Sequence, residues 1–169
     1  MTTQAREHYG RGKLHAQHTL DVMRKNIIEA TAEPLCWETA RDIAADVARS
    51  DQQAQALAVR QWVSAHYRYV NDPVKVELLE TPGYLLSRIR ARGYALGDCD
   101  AGASITAALC SALGIQVELW AVAFAPNAGF QHVFAVAFPK VGAPVELDVS
   151  RPTRAPMPHK FPRRLRLRV

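Results

Sequence analysis

Apolar residues in the first half of the chain recur at the spacing of helices. The pattern predicts a helical part that spans residues 14–66 and contains three helices, Leu14–Ala32, Trp37–Arg49 and Asp51–His66. Ser50 or Asp51 is suited to cap the third helix. Further along, Thr81-Pro82 is typical of the start of a short helix. The aromatic residues of Tyr67–Tyr69 alternate, which indicates a short extended segment between these helices.

The pattern changes in the second half. Asp98–Leu113 is rich in Ala and Leu and is followed by Gly114, so it predicts a central helix. Three β-rich runs follow, separated by short breaks: Val117–Ala125, Phe130–Phe138 and Val145–Ser150. Short breaks favour antiparallel pairing. The sequence therefore predicts an α+β fold, with N-terminal helices and a central helix packed on an antiparallel sheet.

Composition narrows the class of protein. The chain has 169 residues, 49% hydrophobic and 22% charged, which indicates one globular domain rather than a disordered chain. The three cysteines are odd in number and form no CxxC pair, which disfavours a disulfide framework and a structural zinc site. The glycines form no nucleotide-binding pattern, so we expect no nucleotide cofactor. His15 and His18 have the spacing of metal ligands but no third ligand in view, so we expect no metal site. No apolar run approaches 18 residues, so we expect no membrane span. The lack of a disulfide framework favours a reducing, cytoplasmic location.

The positive charge is concentrated at the end of the chain. The net charge is +5, and residues 151–169 contain seven Arg or Lys and no acid. We therefore divide the chain into a domain at 1–150 and a basic tail at 151–169. The tail has the charge to contact nucleic acid, an anionic surface or an acidic partner protein. Alternatively it is a solvated terminus or a last strand with outward arginines, because Arg164, Arg166 and Arg168 alternate with apolar residues.

Cys99 is the candidate nucleophile. It lies in Gly97-Asp98-Cys99-Asp100, in the first turn of the predicted central helix. The N–H groups and positive dipole end of a helix favour a thiolate, the reactive form of cysteine. Asp98 and Asp100 oppose this effect, so the thiol needs a base. By itself Cys99 would be interpreted as a small buried residue at a helix start.

Two residues downstream complete a possible triad. His132 lies inside an apolar strand, where it is either a core residue or one on the face that meets the helix. Asp148 lies in the next predicted strand, where a carboxylate is unfavourable without a partner. If these strands pair, Asp148 orients the His132 ring toward Cys99, as in a nucleophile–base–orienter triad. Glu146 lies two residues before Asp148, so its side chain is on the same side of the predicted strand, and it is the alternative residue to orient His132.

These motifs resemble the transglutaminase-like (papain-like) cysteine hydrolase superfamily. The resemblance rests on Gly97-Asp98-Cys99-Asp100, on the Ala/Leu helix ending in Leu113-Gly114-Ile115, on His132-Val133-Phe134 and on Glu146-Leu147-Asp148. It implies a transglutaminase-like core in which Cys99 is the nucleophile, His132 the base and Asp148 the orienter. The segment from Tyr67 to Pro82 is similar to the lead-in of phage-borne members.

The resemblance implies cleavage of an amide or peptide bond through a thioester, with acyl transfer to an amine as the other outcome. The implied substrate is a peptide or protein, and the phage-like segment adds virion or tail proteins as partners and the virion as a location. Tyr69, Asp98 and Asp100 are the candidates for contacting the substrate or its oxyanion. The alternative is a structural or assembly module that keeps the fold without turnover.

Overall fold

A computed structural model describes residues 4–7, 13–72, 76–150 and 161–169, with side chains for 13–72, 78–150 and 161–169. The helices in these residues are α1 (Lys13–Thr31), α2 (Pro34–Ile43), α3 (Gln52–His66), α4 (Pro82–Arg92) and α5 (Cys99–Ala112). The strands are β1 (Gln4–Glu7), β2 (Tyr67–Tyr69), β3 (Val76–Leu79), β4 (Ala95–Gly97), β5 (Gln116–Ala123), β6 (His132–Phe138), β7 (Val145–Glu146) and β8 (Arg163–Arg168). This mixture of helices and an antiparallel sheet confirms the predicted α+β class.

The main sheet has the strand order β7-β6-β5-β8, and every neighbouring pair is antiparallel. The antiparallel pairing predicted for the three β-rich runs is therefore confirmed. Two smaller pairs flank the sheet in the described residues: β1 pairs antiparallel with β3, and β2 pairs parallel with β4. The second pair sets Tyr69 opposite Gly97, which brings β2 to the start of α5.

Helix α5 is the centre of the domain. It packs against α1, α2, α3 and α4 and against β5 and β6. Residues 100–110 are all buried, and small side chains such as Ala101, Ala103 and Ala107 let the neighbouring elements approach closely. A helix that is apolar all round is expected in such a position. Gly114 follows the helix with φ +73°, a left-handed conformation that glycine adopts without a steric penalty.

Several helix starts agree with their predicted caps. The Asp51 carboxylate accepts the Ala54 N–H at 2.9 Å, and the Thr81 hydroxyl accepts the Tyr84 N–H at 3.3 Å. The second helix differs from its prediction: it begins at Pro34 and ends at Ile43 instead of covering 37–49. Proline is favoured in the first turn of a helix, so Pro34 starts α2 as well as ending α1.

The third β-rich run is shorter than predicted. Strand β7 contains only Val145 and Glu146, and the Leu147 N–H makes one more bond, to the Ala135 carbonyl at 2.9 Å. The chain then leaves the sheet, because Asp148 accepts hydrogen bonds from Ser150 two residues on. Asp148 therefore follows the strand instead of lying inside it.

The last described segment belongs to the sheet. Strand β8 pairs with β5, with Leu165 and Leu167 packed against the core and its arginines exposed. Residues 163–168 therefore form part of the domain, with outward arginines. The nucleic-acid contact predicted for 151–169 falls partly on residues 151–160, which lie outside the described residues. No helix in the described parts of the chain is long and apolar enough to cross a bilayer.

Candidate active site

Cys99 is the first residue of α5, and two carboxylates organise the turn around it. Asp98 is the N-cap and accepts the Asp100 N–H at 3.1 Å, while Asp100 accepts the Ala101 N–H at 2.8 Å. Asp100 is only 4% exposed. The two carboxylates thus satisfy amides that a helix start leaves without intrahelical partners. The Cys99 N–H belongs to the same group of amides.

The turn before Cys99 is held from outside the helix. The Tyr67 hydroxyl donates a hydrogen bond to the Asp98 carbonyl. A Cβ at position 97 would lie 2.8 Å from Glu80 Oε2 and 3.0 Å from the Tyr67 hydroxyl oxygen. Only glycine fits there without moving those groups, so Gly97 lets Tyr67 and Glu80 approach the backbone just before the thiol.

His132 and Asp148 form a buried pair. His132 Nε2 lies 2.7 Å from Asp148 Oδ2, and the two side chains are 10% and 3% exposed. The other carboxylate oxygen, Oδ1, accepts the Ser150 hydroxyl at 2.6 Å and the Ser150 N–H at 3.0 Å. The bond goes to Asp148 and not to Glu146, the alternative orienter, which pairs with Val136 in the sheet.

These bonds fix the charge of Asp148 and the tautomer of His132. Burial raises the pKa of Asp148, but the hydrogen bonds from His132 and Ser150 outweigh it and hold that pKa below its usual value. An ionised carboxylate only accepts hydrogen bonds, so Nε2 must carry the proton that it shares with Asp148. Nδ1 is then the basic nitrogen of the neutral ring.

The His132 ring is also held by aromatic contacts. It stacks on Phe134 and Phe124, with ring centroids 5.8 and 6.1 Å away. It shares its sheet face with Phe134, whereas Val133 and Ala135 point to the core that includes α5. His132 therefore begins β6 on the outer face, not on the helix-facing side, and its ring is buried among aromatic side chains, as the predicted core alternative expects.

The start of β6 nevertheless lies beside Cys99. The backbone N–H of Val133 makes a hydrogen bond that favours the Cys99 thiolate. Because the Val133 nitrogen is bonded directly to the His132 carbonyl carbon, the backbone of His132 lies next to that contact. Asp148 is also close enough for its charge to act on the thiol. Strand β6 thus begins beside the N-terminus of α5, where Asp148 is also close to the thiol.

The surroundings of Cys99 disfavour a thiolate. Burial raises the pKa of Cys99 most, the charges of Asp98 and Asp100 raise it further, and Asp148 adds to them. The Val133 N–H opposes these effects only in part. A buried thiol beside three carboxylates stays protonated unless a cation or a base acts on it.

Tyr69 lies at the exposed side of the same turn and is 46% exposed. Its hydroxyl donates to Asn71 Oδ1 at 3.1 Å. Burial raises the pKa of Tyr69, and the charge of Cys99 raises it further. Tyr69 pairs with Gly97 in the parallel ladder, two residues before Cys99. The three residues predicted to contact substrate or oxyanion therefore differ: Tyr69 carries a hydroxyl whose proton is donated to Asn71, whereas Asp98 and Asp100 each accept a helix amide with one carboxylate oxygen.

Glu80 is an unexpected titratable group at this site. Burial and the charges of Asp72 and Asp98 raise its pKa to about 7, and Arg88 lowers it in part. Sequence reasoning missed Glu80, Tyr67 and Ser150. Only Ser150 had a local signal, since Asp-x-Ser is typical of a side-chain-capped turn. The other two act on residues far away in the sequence.

The remaining candidates for chemistry are separate from this site. Cys36 and Cys110 are buried and unbonded to other cysteines. In the described parts of the chain, no three His, Cys, Asp or Glu side chains form a group that could hold a metal ion.

No protein-family model matches the sequence, and no curated protein matches it. Among solved structures, the chain is similar to a protein from Cytophaga hutchinsonii, known from a 1.9 Å crystal structure and provisionally described as a cysteine protease. The TM-score is 0.49 and the identity 20%, over 74% of this chain. The chain spans 42% of the length of that protein.

Proposed function

We propose that this protein is a transglutaminase-like cysteine hydrolase that cleaves an amide bond with Cys99, His132 and Asp148. The 2.7 Å hydrogen bond between His132 and Asp148, beside the helix start that carries Cys99, is the observation that supports this most. A buried His–Asp pair next to a cysteine matches the arrangement of base, orienter and nucleophile in a triad.

The proposed reaction begins when His132 Nδ1 takes the proton of the Cys99 thiol. The sulfur attacks the amide carbonyl carbon, and the tetrahedral intermediate collapses as the C–N bond breaks. The imidazolium returns its proton to the leaving amine, and a thioester remains on Cys99. Water then gives a proton to His132 and attacks the thioester, which releases the acid and restores the thiol.

The oxyanion of each tetrahedral intermediate needs donors. The Cys99 N–H is the first, since it lies at the helix start beside the reacting sulfur. We assign the second to the Tyr69 hydroxyl, which would turn its proton from Asn71 Oδ1 to the oxyanion, because Tyr69 lies opposite Gly97 just before Cys99. Asp98 and Asp100 then shape the turn instead of contacting the oxyanion.

Iodoacetamide alkylation, mapped by mass spectrometry, tests the proposal without a known substrate. Wild-type Cys99 should react quickly at neutral and mildly acidic pH. In His132→Ala the rate should fall about a hundredfold or more, because the base is gone and the groups that remain raise the thiol pKa on balance. Exposed His18 offers a matched control, His18→Ala, which should leave the rate unchanged. Buried Cys36, whose pKa burial raises to about 12, is the internal reference.

The second candidate is a module that keeps the fold without turnover, and the raised pKa of Cys99 favours it. Ordinary or slow alkylation of Cys99, identical in wild type and His132→Ala, would reject the hydrolase and leave this candidate. Action on virion or tail proteins stays a prediction from the sequence.

A further inference from the structure

A row of exposed arginines follows the outer face of the sheet. Arg164, Arg166 and Arg168 of β8 are all exposed, and their cross-strand partners on β5 are Val122, Trp120 and Glu118. Directly paired residues lie on the same sheet face, so this is the face that also carries His132 and Phe134. Alternate residues of a strand are about 7 Å apart, which sets the spacing of the charges.

Two of these arginines are held by an aromatic ring. The guanidinium carbons of Arg164 and Arg166 lie 5.4 and 5.5 Å from the centre of the Trp120 ring. The Trp120 N–H donates to Glu118 at 2.9 Å, which fixes the ring. Among the described residues, neither arginine has a carboxylate within ion-pair distance. Stacking on a ring face leaves the in-plane N–H groups of a guanidinium able to bind an oxyanion.

The arginine row is continuous with the candidate active site. Val122 pairs with His132 on one side and with Arg164 on the other. Neighbouring strands are about 4.8 Å apart, so Arg164 lies about 10 Å across the same face from His132.

We propose that β8 docks an extended acidic peptide, which adds as a strand beside β8 and sets its carboxylates opposite Arg164 and Arg166. Strand β8 is the last strand on its side of the described sheet, so an added strand would continue the ladder of main-chain hydrogen bonds. We infer the binding of the peptide from the arginine row alone. Its interpretation as substrate recognition rests on the proposed hydrolase function.

The details favour a peptide over nucleic acid. The charges repeat at the spacing of alternate side chains in an extended peptide strand. Single-stranded nucleic acid is usually held by bases stacked on aromatic rings, but here Arg164 and Arg166 already cover Trp120. Acidic side chains at every second position of an added strand would each face one arginine as an opposite-charge cross-strand pair.

Titration calorimetry with Cys99→Ser, which prevents turnover, tests the docking. The probes are an octapeptide alternating Glu and Thr, its Gln/Thr counterpart and an eight-nucleotide oligo-dT. The Glu/Thr peptide should bind, with an affinity that falls as salt is added, and the Gln/Thr peptide should bind at least fivefold more weakly. Adding Arg164→Gln and Arg166→Gln should weaken the Glu/Thr peptide about fivefold or more. Arg49→Gln, at another exposed arginine, should change nothing.

Any one of three results would overturn the proposal. They are equal binding of the Glu and Gln peptides, no binding of either peptide, and no effect of the Arg164 and Arg166 substitutions. Stronger binding of oligo-dT than of the Glu/Thr peptide would also overturn it and assign the face to nucleic acid. Because Cys99→Ser binds without reacting, a failure here leaves the alkylation result at Cys99 intact. A failure of that alkylation likewise leaves this binding result intact.

Discussion

Gly102 offers a direct test of how the site is positioned. It lies one turn after Cys99 in α5, and a Cβ there would lie 2.9 Å from Val149 Cγ2 and 3.4 Å from Tyr67 Cε1. Val149 follows Asp148 directly, so the glycine lets the segment that carries the orienter pack against the first turn of α5. Gly102→Ala should therefore displace Asp148 while leaving the chemical groups unchanged.

The size of the displacement follows from the contact. Carbon atoms rest at about 3.5–4.0 Å, so the Val149 methyl must move by about 1 Å. A shift of this size weakens the 2.7 Å bond between His132 and Asp148, and a 1 Å misplacement costs about a hundredfold in rate. The overall stability should change less. Alanine favours the helix by about 1 kcal/mol over glycine, while overpacking costs about 1–3 kcal/mol.

The assay is the alkylation rate of Cys99, with urea unfolding measured on the same samples. Gly102→Ala should react about a hundredfold more slowly and lose at most about 2 kcal/mol of unfolding free energy. Adding Val149→Ala removes the methyl group that the new Cβ at position 102 would contact, so it should restore most of the alkylation rate. Wild-type reactivity in Gly102→Ala, or a loss that Val149→Ala does not relieve, would refute this account of how Asp148 is positioned.

Two further predictions concern charge. In Asp148→Asn the Ser150 donors should hold the amide oxygen, so that the amide NH₂ group points toward His132. The ring proton should then lie on Nδ1, as ¹⁵N NMR can show, and Cys99 alkylation should fall about a hundredfold. An Nε2–H signal together with full reactivity would contradict this prediction. The pKa of Glu80 is raised from 4.5 to about 7 in the folded protein, so the folded state holds this proton more tightly than the unfolded state. The unfolding free energy should therefore fall as the pH rises from 4.5 to about 7. Glu80→Gln should remove about 1 kcal/mol of that decrease, after allowance for solvent screening, and an unchanged pH profile in urea titrations would contradict the assignment.

Local patterns account for what could be predicted. The Ala/Leu-rich run over 98–113, the glycine after it and the β-rich runs that follow are each encoded within a few neighbouring residues. They were sufficient to indicate a helix over Asp98–Leu113, with Cys99 in its first turn, and an antiparallel sheet after it. The aspartate that binds His132 was also a sequence candidate, because a carboxylate in an apolar run needs a partner.

Contacts between distant segments account for what was missed. The short strand β4 has no apolar pattern of its own and exists because it pairs with β2. Tyr67 is separated from Asp98 by 31 residues, and no local rule connects them. The outer-face position of His132 likewise depends on where β6 begins, since a change of one residue reverses the side of every side chain.

The parallel pairing of β2 with β4 has a consequence for how the protein folds. Parallel neighbours cannot be joined by a tight turn, and here α4 lies between them in the chain. Closing such a loop costs chain entropy before the contact between Tyr67 and Asp98 forms. The turn around Cys99 therefore cannot assemble from its own segment, and a partly folded chain carries an ordinary thiol. In a refolding experiment, fast Cys99 alkylation should therefore appear only once β2 has paired with β4 and the His132–Asp148 pair has formed.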